Sequence, residues 1–256
     1  MERVPRVVIR ALGGFVVERE GRPLTSTEWG SRKAQDLVKI LVVRSGRSTS
    51  REELAHLLWP DQPYEDVSNR LSVALSLARS ALTGEGAVVP IVTQGATVRL
   101  DTDTVDLDVE TFGRLAEDGL RAARRDGPDA ALPVLTRAEE LYGGDLLEDD
   151  LDTPWLTDRR LALRSAYLEV ARTIARLTVE DDPDLAIRML LRILDRDSYD
   201  EPAHLNLCLA LLRSGRHGEA RRRFRVYEGR MHELELPVVP FHELTREVDD
   251  AARAAS

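Results

Sequence analysis

Residues 67–82, VSNRLSVALSLARSAL, and residues 87–100, AVVPIVTQGATVRL, decide the fold of this chain. In the first stretch, apolar side chains recur at the spacing of one helix face, at Leu71, Leu75, Ala78 and Leu82. The second stretch predicts two short strands joined at a Gln94-Gly95 tip. A helix followed at once by a β-hairpin is the order of a recognition helix and its wing, so the sequence predicts a winged-helix domain that reads DNA.

The side of this helix opposite the apolar stripe carries small and polar residues that leave room for a second surface. The residues expected to face base edges in a major groove are Asn69, Ser72, Val73 and Ser76. Asparagine is suited to bidentate pairing with adenine, and a valine side chain can contact the methyl group of thymine. Arg70 and Arg79 flank this face, where we expect them to contact phosphates.

The predicted wing and the helices before it supply further DNA contacts. Gly95 is expected to allow the tight turn of the hairpin. The full set of residues expected at the sugar–phosphate backbone is Arg32, Lys33, Arg51, Thr93, Gln94, Gly95, Thr97 and Arg99.

The elements before residue 67 complete the domain. Residues 6–24 predict short strands, and Ser31 begins a helix. Ser50 and Glu53 form a capping box, in which each side chain is expected to accept a hydrogen bond from the other residue's backbone N–H. Turns or helix ends are expected at Glu20-Gly21, Ser45-Gly46 and Trp59-Pro60. The order of strands, three helices and a hairpin resembles the OmpR-like winged helix.

Charge is distributed unevenly along the chain. The net charge of −9 over 256 residues argues against binding of nucleic acid by the chain as a whole. Residues 1–100, however, carry 14 Lys and Arg against 11 Asp and Glu, whereas residues 101–256 carry 22 against 34. A weakly basic first part followed by an acidic second part favours a DNA reader joined to an interaction domain.

The second half of the chain is predicted to be helical throughout. Apolar residues at helical spacing predict helices at Asp108–Arg125, Asp129–Tyr142, Trp155–Val179, Asp184–Asp195, Glu201–Ser214 and His217–Leu234. Ala186 matches Ala220 and Leu190 matches Phe224, each pair 34 residues apart, which is the period of tetratricopeptide repeats. The fold class predicted is therefore mainly α with a small β component: an N-terminal winged helix-turn-helix followed by an all-α, tetratricopeptide-like bundle.

Residues 101–110, DTDTVDLDVE, separate the two halves. Their carboxylates suggest calcium, but the spacing lacks the glycine and the final glutamate of a calcium loop, so a solvated connector is the better interpretation. The predicted domains are 1–100, the winged helix; 101–110, the connector; and 111–256, the helical domain.

Enzyme chemistry and metal binding find little support in the sequence. The five histidines show neither HExxH nor CxxC-type spacing, and Cys208 is interpreted as a small core residue. The acidic cluster at 148–152 is interpreted as a solvated helix start and not as a cation site. We therefore expect no enzyme activity, no cofactor and no metal. Four arginines leave a small anionic ligand open as an alternative: Arg221, Arg222, Arg223 and Arg225.

The apolar segments and the single cysteine bear on the location of the protein. Apolar runs are shorter than a membrane span, and the first residues begin a strand and do not resemble a signal peptide. Because Cys208 has no second cysteine in the chain to pair with, a reducing cytoplasm is the expected location, without a membrane partner.

An ordered series of motifs resembles the actinomycete antibiotic regulatory protein (SARP) family over about residues 5–248. In the first half these motifs are VVIRALGGFVVEREGRPL, WGSRKA at 29–34, SREELAHLLWPD at 50–61, NRLSVALS at 69–76 and VRLDTDTVDLDV at 98–109. In the second half they are LYGGDLL at 141–147, Trp155 with Arg159, and GRHGEA at 215–220, which resemble the bacterial transcriptional activator domain.

The resemblance implies an activator that binds tandem repeats in promoter DNA, as a homodimer on double-stranded DNA, and recruits RNA polymerase. One departure is that many members have basic residues where this chain has Leu77 and Ser80. Fewer phosphate contacts imply weaker binding or dependence on a partner. The alternative is therefore a tetratricopeptide-type adaptor whose winged helix binds protein instead of DNA.

Overall fold

The structure, a computed structural model, describes residues 7–83, 89–150 and 153–254. Residues 87 and 88 of the predicted hairpin lie outside this range. The chain divides into two compact units. Unit 1 comprises Met1–Leu115 and Glu140–Ser165, and unit 2 comprises Ala116–Glu139 and Ala166–Ser256.

The elements follow the order predicted for a winged helix and a helical bundle. The strands are β1 (Val7–Arg10), β2 (Val16–Arg19), β3 (Arg22–Pro23), β4 (Thr49–Ser50), β5 (Ile91–Gln94), β6 (Thr97–Leu100) and β7 (Asp106–Leu107). The helices are α1 (Arg32–Arg44), α2 (Arg51–Leu58), α3 (Tyr64–Leu82), α4 (Asp108–Arg125), α5 (Pro128–Leu141), α6 (Pro154–Thr178), α7 (Pro183–Arg196), α8 (Glu201–Arg213), α9 (His217–Glu233) and α10 (Phe241–Ala254). The predicted fold class is confirmed.

The first sheet of unit 1 has the strand order β3-β2-β1-β7. Its last strand comes from the segment expected to be a solvated connector. Asp106 and Leu107 pair in parallel with Val8 and Ile9 of β1. Four residues of this segment are buried, namely Val105, Leu107, Asp108 and Val109. The alternation of acidic and apolar residues at 101–110 therefore reflects a sheet edge that leads directly into α4, with the apolar side chains inside.

The helical core of unit 1 follows the predicted apolar stripes. On α3 the buried stripe includes Leu71, Leu75, Ala78 and Leu82, each at most 1% exposed. This helix begins at Tyr64, three residues before the predicted start, since Pro63 forms the N-cap and has no backbone N–H that needs a partner. At α2 the Ser50 hydroxyl accepts from Glu53 N as expected, but the Glu53 carboxylate contacts Arg44.

The second sheet of unit 1 is the wing, with the order β4-β6-β5. Gln94 and Thr97 are partners at the end of the β5–β6 hairpin. The hairpin also joins the start of α2, because Ser50 pairs with Thr97 and Arg51 N donates to Ala96 O at 2.9 Å. The wing is therefore held by the helix-turn-helix and is not a free hairpin.

Residues 140–165 belong to unit 1, although the sequence assigned them to the second domain. Leu146 bridges Leu12, and Gly13 N donates to Asp145 O at 2.9 Å. The approach needs glycine, because a Cβ on Gly144 would lie 2.9 Å from the Cα of Gly13. The LYGGDLL motif therefore extends the N-terminal unit. The boundaries at 100 and 110 stay predictions.

Unit 2 contains the predicted repeat. Ala186 on α7 and Ala220 on α9 are fully buried, and Leu190 and Phe224 are buried at their matching positions. Cys208 on α8 is also fully buried, and its thiol donates to Ala220 O at 3.7 Å. Burial raises the pKa of this thiol to about 11, which agrees with the core interpretation.

The length and hydropathy of the helices decide whether any of them could span a membrane. Among the described residues, none of them combines the length and the apolar character that crossing a bilayer requires.

Candidate nucleic-acid interface

The outward face of α3 carries the residues predicted to read base edges. All four side chains are exposed, namely Asn69, Ser72, Val73 and Ser76. Val73 is 59% exposed, the largest exposed fraction of any large hydrophobic side chain among the described residues. Burial of the opposite stripe therefore fixes the direction of this face.

Two arginines lie beside this face and are held by neutral partners. Arg70 donates to Gln62 Oε1 at 2.6 Å, and Arg51 donates to Ser72 Oγ at 2.7 Å. A neutral partner orients a guanidinium without cancelling its charge, so both groups keep a positive charge at the edge of α3.

Arg79 connects α3 to the wing. Its Nε donates to Ile91 O at 3.1 Å, and its Nη2 contacts Thr93 Oγ1. Its Nη1 makes no hydrogen bond with another residue in the described ranges. Both acceptors lie on β5, so this side chain ties α3 directly to the hairpin, in addition to the pairing of β6 with β4.

The wing tip presents the predicted polar residues. Thr93, Gln94, Gly95 and Ala96 are exposed, and Gly95 has a φ of +58°, in the left-handed region that favours glycine. Thr97 donates to Gln94 O at 3.0 Å, which closes the turn. Arg99 is paired with Asp101 at 3.2 Å and lies half-buried on β6.

The two predicted contacts on α1 differ from each other. Arg32 is exposed at the start of the helix, without an ion pair to any residue that the structure describes. Lys33 instead donates to Leu58 O at 2.7 Å and lies 5.7 Å from the centre of the Trp59 ring. The Lys33 ammonium therefore stabilises the C-terminal end of α2, where unpaired carbonyl groups favour a cation.

The role of Arg19 on β2 was not predicted from the sequence. Its guanidinium donates to Ala81 O at 2.8 Å at the end of α3, and it pairs with Glu28 at 3.0 Å. Hydrogen bonds from Thr25, together with Arg22 and Arg19, hold the pKa of Glu28 below its ordinary value. No local pattern indicated this contact, because β2 and α3 are about sixty residues apart.

The surface suits hydrogen bonding and apolar contact better than it suits bond-breaking chemistry. In the described part of the chain, no group of three or more His, Cys, Asp or Glu side chains is placed to hold a metal ion. The four residues of α3 predicted to face base edges instead present an amide, two hydroxyls and an isopropyl group. These are the groups that recognise base edges in a major groove.

Comparisons with known proteins extend these observations. The family model of the bacterial transcriptional activator domain matches residues 107–249. The regulatory protein DnrI of Streptomyces peucetius is 29% identical over 227 residues, which cover 83% of this chain and 80% of DnrI. The structure of Mycobacterium tuberculosis EmbR in complex with a low affinity phosphopeptide matches with a TM-score of 0.77 and 20% identity. That match covers 96% of this chain, which spans only 65% of the EmbR chain.

Proposed function

The chain belongs to the family of the bacterial transcriptional activator domain and is a transcription regulator of the SARP type, and we propose that it acts by binding DNA. In this proposal α3 enters a major groove and the wing contacts the adjacent sugar–phosphate backbone. Such a regulator works in the cytoplasm, where the chromosome lies.

One observation carries the proposal: the exposed, uncharged face of α3 lies beside a wing that Arg79 holds in a fixed direction. Base readout needs side chains of this kind on an element that is held rigidly. Arg51 and Arg70 at the edge of the face supply the charge that attracts phosphates.

We further propose that two copies bind tandem repeats in a promoter and recruit RNA polymerase, which makes the protein an activator. A second copy on an adjacent half-site raises the effective concentration of each reader, and this compensates for the small number of cations near α3.

A second candidate is an adaptor that uses the same face of α3 to bind protein. The observation that favours it is the 59% exposure of Val73, together with the intramolecular hydrogen bonds of Arg51, Arg70 and Arg79. An exposed aliphatic side chain next to partnered cations also suits a protein surface.

The test compares Asn69→Ala with wild type by fluorescence anisotropy, on promoter duplexes from the gene's own neighbourhood and on scrambled duplexes. We expect the variant to lose about 1–3 kcal/mol of affinity for its promoter and almost none for scrambled DNA. His217→Ala is the control, since His217 is exposed on α9 in unit 2 and lies outside both the α3 face and the wing. Equal affinity of wild type for promoter and scrambled duplexes would contradict the proposal.

A further inference from the structure

Unit 2 contains a cavity of about 400 Å³ that the function proposed above does not use. Its walls come from α6, α7, α8 and α10. Cavities of this size accommodate small organic ligands when an apolar interior is combined with a few polar groups.

The floor of the cavity is apolar and tightly packed. Ala175, Leu190 and Ala203 line it, and each is at most 5% exposed. Val179, directly after α6, and Leu209 on α8 extend the apolar lining and are partly exposed. The apolar part of a ligand therefore finds a surface that is already formed by the packing of the helices.

Three arginines lie at the rim, but two of them have acidic partners. Arg172 contacts Asp200, and Arg213 lies 3.8 Å from the Glu247 carboxylate on α10. The third, Arg176, is exposed and makes no hydrogen bond or ion pair with any residue in the described ranges. Glu169 also lines the cavity, but it lies about two helical turns before Arg176 on α6. The Arg176 guanidinium therefore remains available to pair with one anionic group of a ligand.

The neighbours of Arg176 supply neutral hydrogen-bonding groups. Thr173 lies one helical turn earlier on α6, and Asn206 lies on α8 at the same cavity. Arg213 and Glu247 lie 3.8 Å apart with both side chains partly exposed, so this ion pair is weak.

We propose that this cavity binds a small carboxylic acid with an apolar body. The carboxylate pairs with Arg176 and accepts hydrogen bonds from Asn206 or Thr173, and the apolar body covers Ala175, Leu190 and Ala203. A bound acid of this kind makes unit 2 a sensor of metabolites, in addition to any contact with polymerase.

The experiment measures binding of 2-naphthoate to the full chain by isothermal titration calorimetry, with neutral 2-naphthamide as the matched probe. We expect 2-naphthoate to bind at least tenfold more tightly than the amide. We expect Arg176→Gln to weaken naphthoate binding about tenfold or more, because it removes a charge-assisted hydrogen bond. Arg188→Gln is the control, since Arg188 is exposed on α7 and does not line the cavity.

Asn206→Trp tests the location of the site separately, since this exposed position can accept a large side chain that obstructs the cavity. We expect it to abolish binding of both probes while circular dichroism and the melting temperature stay unchanged. The proposal is overturned if naphthoate does not bind, or binds Arg176→Gln as tightly as wild type. It is also overturned if penta-alanine with a free C-terminus binds while naphthoate does not, since the cavity would then be a binding site for peptides.

Discussion

At the scale of single residues, the exposed face of α3 and the contacts of the cations around it have different origins. Asn69 and Val73 lie on the exposed face of α3 because the opposite positions match an apolar period. The partners of Arg79 and Lys33 are backbone carbonyl groups at Ile91 and Leu58. Carbonyl groups leave no trace in sequence, so these two contacts required the structure.

Arg79 gives the first prediction. Its Nε and Nη2 hold the wing, and we expect its Nη1 to contact a phosphate. Arg79→Ala should then weaken binding equally on promoter and scrambled DNA and should reduce the slope of log K against log salt by about one. Anisotropy titrations at four salt concentrations measure both quantities, with Arg188→Ala as the control. If affinity falls but the slope is unchanged, Arg79 only positions the wing and does not contact a phosphate.

Asp108 at the start of α4 gives a prediction about pH. Its Oδ2 accepts hydrogen bonds from Ala11 N at 2.8 Å and Leu12 N at 2.9 Å, while its Oδ1 is buried without a partner in the described ranges. Burial raises the pKa of Asp108, against the opposing effect of hydrogen bonds from Leu12, Ala11 and Val109. The folded state therefore holds this proton to a higher pH than the unfolded state does, so wild type loses stability as pH rises from about 4.

We expect Asp108→Asn to keep the acceptor and to remove this pH dependence. Its stability relative to wild type should rise between about pH 4 and the raised pKa and then level off. Asp108→Ala leaves two buried N–H groups without an acceptor and should be about 1–3 kcal/mol less stable than Asp108→Asn at every pH, since neither variant titrates at this position. Urea unfolding at a series of pH values tests both expectations. If the difference in free energy of unfolding between wild type and Asp108→Asn is constant across that range, Asp108 has the same pKa in the folded and unfolded states, and the prediction is wrong.

At the scale of elements, helix positions were predicted well because a helix shows its own period over many residues. Two short strands, β4 and β7, were missed for the opposite reason. Thr49–Ser50 and Asp106–Leu107 are each two residues long, and their partners lie about fifty or one hundred residues away. A strand of two residues has no alternation to detect, and its existence depends on the strand beside it.

The wing gives a prediction at this scale. A Cβ at Gly95 would meet no atom within 4 Å, so substitutions there act through the backbone angle alone. Gly95→Asn should keep the turn, because asparagine tolerates a positive φ, whereas Gly95→Val should destabilise the hairpin by about 1–2 kcal/mol. We expect only the valine variant to lose DNA affinity, measured by anisotropy alongside urea unfolding. If Gly95→Val binds DNA with full affinity, the wing does not contribute to DNA binding.

At the scale of the whole molecule, the two halves of the sequence do not correspond to the two compact units. The helical spacing of apolar residues in 140–165 predicted which side chains are buried, but it did not indicate what they pack against. The contacts of Leu12 and Gly13 with Leu146 and Asp145 place that segment in unit 1. Tests of the DNA reader should therefore use the full chain, since a fragment that ends near residue 108 lacks part of its own unit.

The central claim is that the exposed face of α3 meets DNA, and photo-crosslinking in living cells tests it most directly. The photoreactive residue p-benzoylphenylalanine is placed at Val73, and at Val226 as the control, since these valines are 59% and 47% exposed. We predict that the residue at position 73 crosslinks to promoter DNA and that the one at position 226 does not. Crosslinks from position 73 to protein alone would contradict the claim and favour the adaptor.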